Sequence, residues 1–519
     1  MKLANYVSGK WVDGKDDGTA LIDPVLGTEL ARASTAGVDI EAALDFARRQ
    51  GGPALRAMTF AQRGEMLGKL ADALGANRDK YYATALANSG NTKGDAAVDV
   101  DGGIGTLKFY ARLVGGLGDK KYLRDGGYDR LARDEAFQSI HLDVPLPGVA
   151  IHINAFNFPS WGLWEKAAVA LLSGVPVMAK PGTATALLTH QMVQDAVATG
   201  LLPAGALSLI CGSARDLLDH VRAGDAIAFT GSADTARTLK ATPAVIASNV
   251  RFNVEADSLN LSLLGPDATA DSPEFALFVR EVVREMSVKA GQKCTAIRRA
   301  FVPKALIDKV SEALAAEIGK IVVGNPRNET VTMGPVVSKS QQKAVLDGIE
   351  ILKKDAKVVV GKADFVDADP KASCFVAPTL LRCDGPAGAK VVHDVEVFGP
   401  CCTVMPYASK EEAFALAARG GGSLAASVFT GDDAFASEAV LGLAPHHGRI
   451  LVVDDAVGKS QTGHGIVMPL CVHGGPGRAG GGEELGGLRG LRFYHHRLAV
   501  QGKKSRLEAL AAEAAEAAF

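Results

Sequence analysis

The stretch GVAIHINAFNFPSWGLWEKAAVALLSGVPVMAK, residues 148–180, is where the fold can be read. Its start is a nearly continuous apolar run, which suits a strand buried on both faces. WGLWEKAAVALLSG then has the length and periodicity of a helix closed by Gly174, and VPVMAK returns to a buried strand. Pro159 fits the first turn of that helix, where a missing N–H costs little. Strand, helix and parallel strand in so few residues make a crossover unit, and a sheet built of such units is covered by helices.

The alternation continues in both directions. ALLTHQMVQDAVATG and ARDLLDHVRAG are predicted helices, while LSLIC and AIAFTG are predicted strands. Residues from about 40 to 117 carry mostly helical periodicity. Residues 119–147 hold a Gly-Gly turn among mixed polar and apolar residues and suit extended, hairpin-like segments. A second α/β stretch runs from about 258 to 475, with strands at AIRRAFVP, KVVVG and RILVVDD. The Ala/Glu-rich end predicts a surface helix. No GxGxxG follows a strand of the first sheet, and the glycine cluster HGGPGRAGGGEELGGLRG has no βαβ unit after it, so it carries little weight as a phosphate loop.

A chain of 519 residues implies two or three domains. The formal charge of −2 gives no basis for binding nucleic acid or an anionic membrane. The polar start lacks the apolar core of a signal peptide, and the longest nearly apolar run, 167–179, is too short to span a bilayer. Seven scattered cysteines without CxxC spacing argue against a disulfide framework or a metal site, so the expected compartment is the reducing cytoplasm.

Polar residues gather where predicted strands end. Asn157 has an amide that could donate to a developing oxyanion, or could simply form a turn. Lys180 ends a buried strand and either snorkels to the rim or reaches a ligand hydroxyl or phosphate. Gly231 and Ser232, after Thr230, open a helix whose N–H groups could hold a pyrophosphate, although an ordinary N-cap serine reads the same way. Glu255, at the end of RFNVE, is a general base or an ion-pair partner. Cys294 lies in EMSVKAGQKCTAIRR (285–299) among Lys289, Lys293, Arg298 and Arg299. It is a nucleophile or a buried small hydrophobe. Nearby positive charge would favour the first by lowering the thiol pKa.

Taken together, FNFP, KPGTAT, FTGSADT, VEADSLN, GQKC and EVFGP, in this order from about 150 to 400, resemble the aldehyde dehydrogenase superfamily. The resemblance implies two Rossmann-like parallel-sheet domains and a small β flap. The cofactor domain would take 1–117 and 148–256, the catalytic domain 257–475, the flap 118–147 and 476–505, and a tail helix 506–519. It implies that Cys294 attacks an aldehyde and that Asn157 and the Cys294 N–H hold the oxyanion. Glu255 would activate the hydrolytic water, and Lys166, nine residues after Asn157, would help it relay protons. Glu396 would hold the nicotinamide ribose, with Phe398 beside the ring. His473 is a candidate for the substrate pocket. A homodimer joined through the flap is implied as well.

Two departures narrow the resemblance. Most members carry Glu-Leu-Gly-Gly-Lys where this chain has EADSL, and the glycine-rich tail is unusual. Both resemble a smaller group whose members oxidise CoA-linked semialdehydes in aerobic aromatic degradation, which makes a CoA thioester the expected substrate. Many NAD-using relatives place a glutamate three residues after the strand-end lysine, where this chain has Thr183. A glutamate would repel a 2′-phosphate, whereas Thr183, Lys180 and Arg215 could all contact one, so the expected cofactor is NADP. The competing readings are a CoA-acylating enzyme, a general aliphatic aldehyde dehydrogenase, a non-catalytic member and an unrelated cysteine hydrolase.

Overall fold

The computed structural model describes residues 1–134 and 136–517. Its first sheet has seven strands in the order Arg251–Glu255, Ala226–Thr230, Ala150–Ile153, Val177–Lys180, Leu207–Leu209, Asn5–Val7 and Lys10–Val12. The first five are parallel and the N-terminal pair is antiparallel. Alternate residues feed opposite faces, as a doubly covered sheet requires. Ile151, Met178, Ile227 and Phe229 pack in one cluster, while Ala150, Val177 and Ala179 pack on the other face beneath Leu163, Trp164 and Leu171.

Register puts the polar strand ends at one edge. Ile153 is opposite Lys180, Phe229 is opposite Ile153, and Thr230 is opposite Glu255. Ligands of open parallel sheets bind outside this carboxyl edge. The helix after the first crossover strand spans Trp161–Leu172, with Ser160 at its N-cap, so Pro159 stands just outside the first turn. Its free N–H groups are satisfied from a distance, because Asp99 accepts from Ser160 N (3.2 Å) and Trp161 N (2.8 Å).

The second sheet also has seven strands: Lys357–Val360, Thr379–Arg382, Cys401–Tyr407, Arg299–Pro303, Leu261–Leu264, Ser423–Phe429 and His447–Val453. All pairs but the first are parallel. Cys294 and Phe398 both lie just before strands of this sheet, at its amino edge. A third sheet, of four strands, combines Tyr122–Arg130 and Gln138–Pro145 with His495–Gly502 and Ala514–Ala517.

Three expectations need correction. ARDLLDHVRAG forms only a short 3-10 turn at Leu217–His220, and Arg215 has a left-handed φ of 46° instead of starting a helix. Asp225 explains this, since its carboxylate accepts from Val149 N and Arg222 N at 2.8 Å each and pairs with Arg48 at 2.6 Å, tying the segment to the sheet. The C-terminal helix covers only Lys504–Ala511, and Ala514–Ala517 pairs parallel with the Tyr122–Arg130 strand. An open strand edge outweighs the helix propensity of alanine there. Of the expected 476–505 flap segment, only His495–Gly502 enters the four-stranded sheet, and residues before it fold back toward the first sheet.

Candidate active site

Between the carboxyl edge of the first sheet and the amino edge of the second lie two cavities, of about 440 and 50 Å³. Ala155, Asn157, Thr230, Glu255 and Cys294 line both. The thiol therefore stands at their junction, accessible from two sides.

The local backbone makes this placement possible. After the Pro273–Ser287 helix, Lys289, Ala290 and Gly291 all have left-handed φ values, of 53°, 51° and 66°. A Cβ on Gly291 would come within 2.2 Å of the Gly399 carbonyl, so no side chain fits. Two non-glycine residues in this region cost about 1–2 kcal/mol each. The turn is held by Lys289 N donating to Asp95 (2.8 Å) and by Gln292, which donates to Lys289 O and accepts from Val337 N, both at 3.0 Å. Asn260 fixes the thiol-bearing residue itself, donating to Cys294 O at 2.7 Å and Ala296 O at 3.0 Å.

The four cations near Cys294 in sequence point elsewhere. Lys293 pairs with Glu285 at 2.5 Å, and Lys289 sits 3.9 Å from Asp99 and 4.7 Å from the Phe158 ring centre. Arg298 donates to Gly399 O and Gly291 O, and Arg299 to Leu259 O and Leu416 O. The expected lowering of the thiol pKa is thus overturned. Burial and the Glu255 charge push the Cys294 thiol well above its ordinary value. It rests as a thiol beside a base.

That base is an anion. Burial opposes ionisation of Glu255, but His473, 3.2 Å away, together with Lys166 and the thiol, holds it below the usual carboxylate range. Burial likewise disfavours charge on His473, and Glu255 raises it above the usual imidazole value. Ligand atoms of Glu255, Cys294 and His473 all fall within 4.8 Å of one another. His473 does line the smaller cavity, yet its polar partner is the carboxylate.

Behind this trio lies a buried cluster that the sequence only partly disclosed. Lys166 pairs with Glu165 at 2.7 Å and with Glu484 at 3.0 Å, and oxygens of Glu165, Glu255 and Glu484 lie within 4.8 Å of one another. Burial raises Glu165, so it is suited to hold a proton, while the surrounding carboxylates keep Lys166 charged against its burial. Glu165 was visible only as the neighbour of Lys166, and Glu484 lay inside the discounted glycine cluster. That cluster lets the backbone approach the site closely: a Cβ on Gly480 would lie 2.3 Å from Val254 O.

The larger cavity carries the groups expected to hold a dinucleotide. Gly231 and Ser232 line it, as do Glu396, Phe398, Asp257, Gln341 and Arg478. Ser232 also caps its helix, accepting from Thr235 N at 3.2 Å. Glu396 accepts from Ser258 N at 3.1 Å. Its other oxygen is 3.8 Å from Arg298 and has no hydrogen-bond partner, nor does Thr230 Oγ1. Burial raises Glu396 to about 7, against the pull of Arg298. Phe398 packs edge-to-face on Phe156 at 5.8 Å. A helix end facing the cavity, two unpartnered oxygens and an aromatic wall fit a nicotinamide dinucleotide.

The other expected cofactor contacts lie outside that lining. Thr183 Oγ1 donates to Gly212 O at 3.3 Å, and Lys180 is half-buried at its strand end. Arg215 donates to Thr35 O at 2.8 Å and borders a separate cavity of about 390 Å³ with Ser213.

Comparison with known proteins follows the same lines. A sequence profile of the Aldehyde dehydrogenase family matches residues 11–494. The 3,4-dehydroadipyl-CoA semialdehyde dehydrogenase of Aromatoleum evansii is 54% identical over 479 residues, covering 92% of this chain and 93% of that one. A crystal structure of an aldehyde dehydrogenase from Burkholderia cenocepacia superposes with a TM-score of 0.84 at 26% identity, covering 96% of this chain and 97% of that one. Betaine aldehyde dehydrogenase of Staphylococcus aureus, solved with NAD+, shares the fold at a TM-score of 0.83 and 24% identity, with 96% and 95% covered.

Proposed function

The chain belongs to the aldehyde dehydrogenase family, and from that premise we propose that it oxidises a CoA-linked semialdehyde to the carboxylic acid with NADP. The observation that carries the chemistry is the thiol between two cavities with an ionised carboxylate beside it. The 54% identity over nearly the whole chain supports the substrate class.

In this reading Glu255 takes the Cys294 proton as sulfur attacks the aldehyde carbon, giving a thiohemiacetal on Cys294. Asn157 and the Cys294 N–H hold its oxyanion. A nicotinamide dinucleotide held along Glu396 and Phe398 would supply the hydride acceptor for that carbon. A thioester remains on Cys294. Glu255 gives up its first proton through the Glu165–Lys166–Glu484 cluster, then draws a proton from water as the water attacks the thioester, and returns it to the departing sulfur. A base already ionised at the thiol supports hydrolysis over transfer to free CoA. The first sheet is then the cofactor half and the second the catalytic half, and the protein works as a homodimer in aromatic degradation. A panel of aldehydes of matched length with and without attached CoA tests the substrate. Equal kcat/KM for free and CoA-linked members would reject it.

Cofactor choice gives a separate prediction. With Thr183 in place of a carboxylate, no like charge meets a 2′-phosphate, and NADP is preferred by at least roughly tenfold in kcat/KM, equivalent to about 1.4 kcal/mol. Kinetics with both cofactors on one aldehyde decide it. Thr183→Glu moves the preference toward NAD, and a parent enzyme that already favours NAD overturns the reading.

The His473–Glu255 pair predicts a pH effect. Glu255 is depressed largely by His473, so His473→Phe lets burial dominate and raises the carboxylate pKa. The acid limb of the kcat profile should move to higher pH by about one unit or more. A limb that stays in place would remove His473 from the control of Glu255.

A further inference from the structure

The two stretches that depart from the family pattern, EADSL and the glycine-rich tail, meet in space. Asp257, from the first, and Arg478, from the second, face each other 3.9 Å apart on the wall of the larger cavity. Asp257 also accepts from Ala233 N at 3.0 Å, so its carboxylate caps the Ala233–Lys240 helix at the end that opens on the cavity.

The charge balance of this wall is unfavourable to the ligand it would take. Among the described lining residues, the carboxylates are Glu255, Asp257 and Glu396, and Arg478 is the one cation. A dinucleotide brings a diphosphate with two negative charges into a partly dry space, where like charges a few Å apart repel strongly. The helix terminus offers N–H groups and a partial positive charge to such an anion, but Asp257 already occupies it. Arg478 is held loosely. One arm donates to Asp394 O at 2.9 Å, the contact with Asp257 is long, and its side chain is a quarter exposed (25%). It is free to turn.

We propose that Arg478 is the diphosphate-binding cation of the cofactor cavity, and that Asp257 stands in for the phosphate at the helix terminus until the cofactor enters. Binding then exchanges one anion for another. The Asp257 carboxylate gives up Ala233 N and Arg478, and the diphosphate takes both. Asp257 thereby weakens cofactor binding and speeds release, while Arg478 supplies the attraction. The assignment rests on the dinucleotide reading above, and it concerns the diphosphate that NAD and NADP share.

The test is equilibrium titration of the full-length protein with NADPH and with NADH, read by the fluorescence of the reduced nicotinamide and independent of turnover. Arg478→Gln should raise Kd at least tenfold for both dinucleotides, and Arg478→Lys should recover part of the loss. Asp257→Asn keeps an oxygen to cap the helix but removes the charge, and should lower Kd at least threefold for both. Kd for Arg478→Gln within twofold of the parent overturns the assignment, as does a loss confined to NADPH, which would place Arg478 on the 2′-phosphate. Weaker binding by Asp257→Asn would make the carboxylate a ligand and overturn the exchange. A parent protein that binds neither dinucleotide would overturn the functional reading itself, and this assignment with it.

Discussion

Cys294→Ala abolishes aldehyde oxidation, by at least roughly 10⁴-fold, while the protein remains folded and still binds the reduced dinucleotide. The size of the effect follows from covalency: without sulfur there is no thiohemiacetal, and the two cavities no longer share a reacting atom. Folding should survive because the Cys294 backbone is fixed by Asn260 and the preceding left-handed turn, neither of which uses the thiol. Cys401 and Cys402 line neither cavity and are not placed to take over. Cys401 and Cys402 are near Glu396 in sequence but buried in a strand, where burial raises Cys401 to about 12 and Cys402 further still. Cys471 is exposed and precedes the strand that carries His473. Activity of Cys294→Ala within tenfold of the parent, with the cofactor Kd unchanged, would move the chemistry to another residue.

What the sequence disclosed and what it hid divide along physical lines. The 148–180 crossover was legible because two apolar runs flank a segment of helical period, and Gly174, with φ of 84°, closes the helix as expected. Glu255 and Cys294 were legible as motif residues at element ends. The strands Leu261–Leu264, Thr379–Arg382, Cys401–Tyr407 and Ser423–Phe429 were not assigned, since a short apolar run in a doubly covered sheet has no period to betray it. Charge near Cys294 misled, because neighbours in sequence on a strained turn splay apart: Lys293 reaches Glu285 and Arg299 reaches Leu416 O. The pairings that set the electrostatics, His473 with Glu255 and Glu484 with Lys166, join segments far apart in the chain. Only packing brings them together, and a glycine-rich segment that looks like a loop in one dimension is a wall of the site in three.

Glu255→Gln separates the two halves of the reaction. Glutamine keeps the shape of the carboxylate but cannot accept a proton, so the step that needs a base for water should slow and steady-state turnover should fall ~10²–10⁴-fold. The first half should respond differently. In the parent, burial and the Glu255 charge both hold the Cys294 thiol protonated. Removing that charge leaves burial with the Glu165 and Glu396 carboxylates, which eases formation of the thiolate and offsets the loss of the nearby acceptor. His473 changes with it, since its pKa is raised by Glu255, and without that partner burial returns it toward the neutral form. A neutral imidazole beside the thiol can then take the proton that Glu255 took before. Rapid mixing should therefore show a burst of reduced cofactor close to one per active site, followed by a slow steady state, with acyl-enzyme accumulating on Cys294. Loss of the burst along with the steady state would mean that sulfur cannot be deprotonated without Glu255, and that the carboxylate serves acylation as much as hydrolysis.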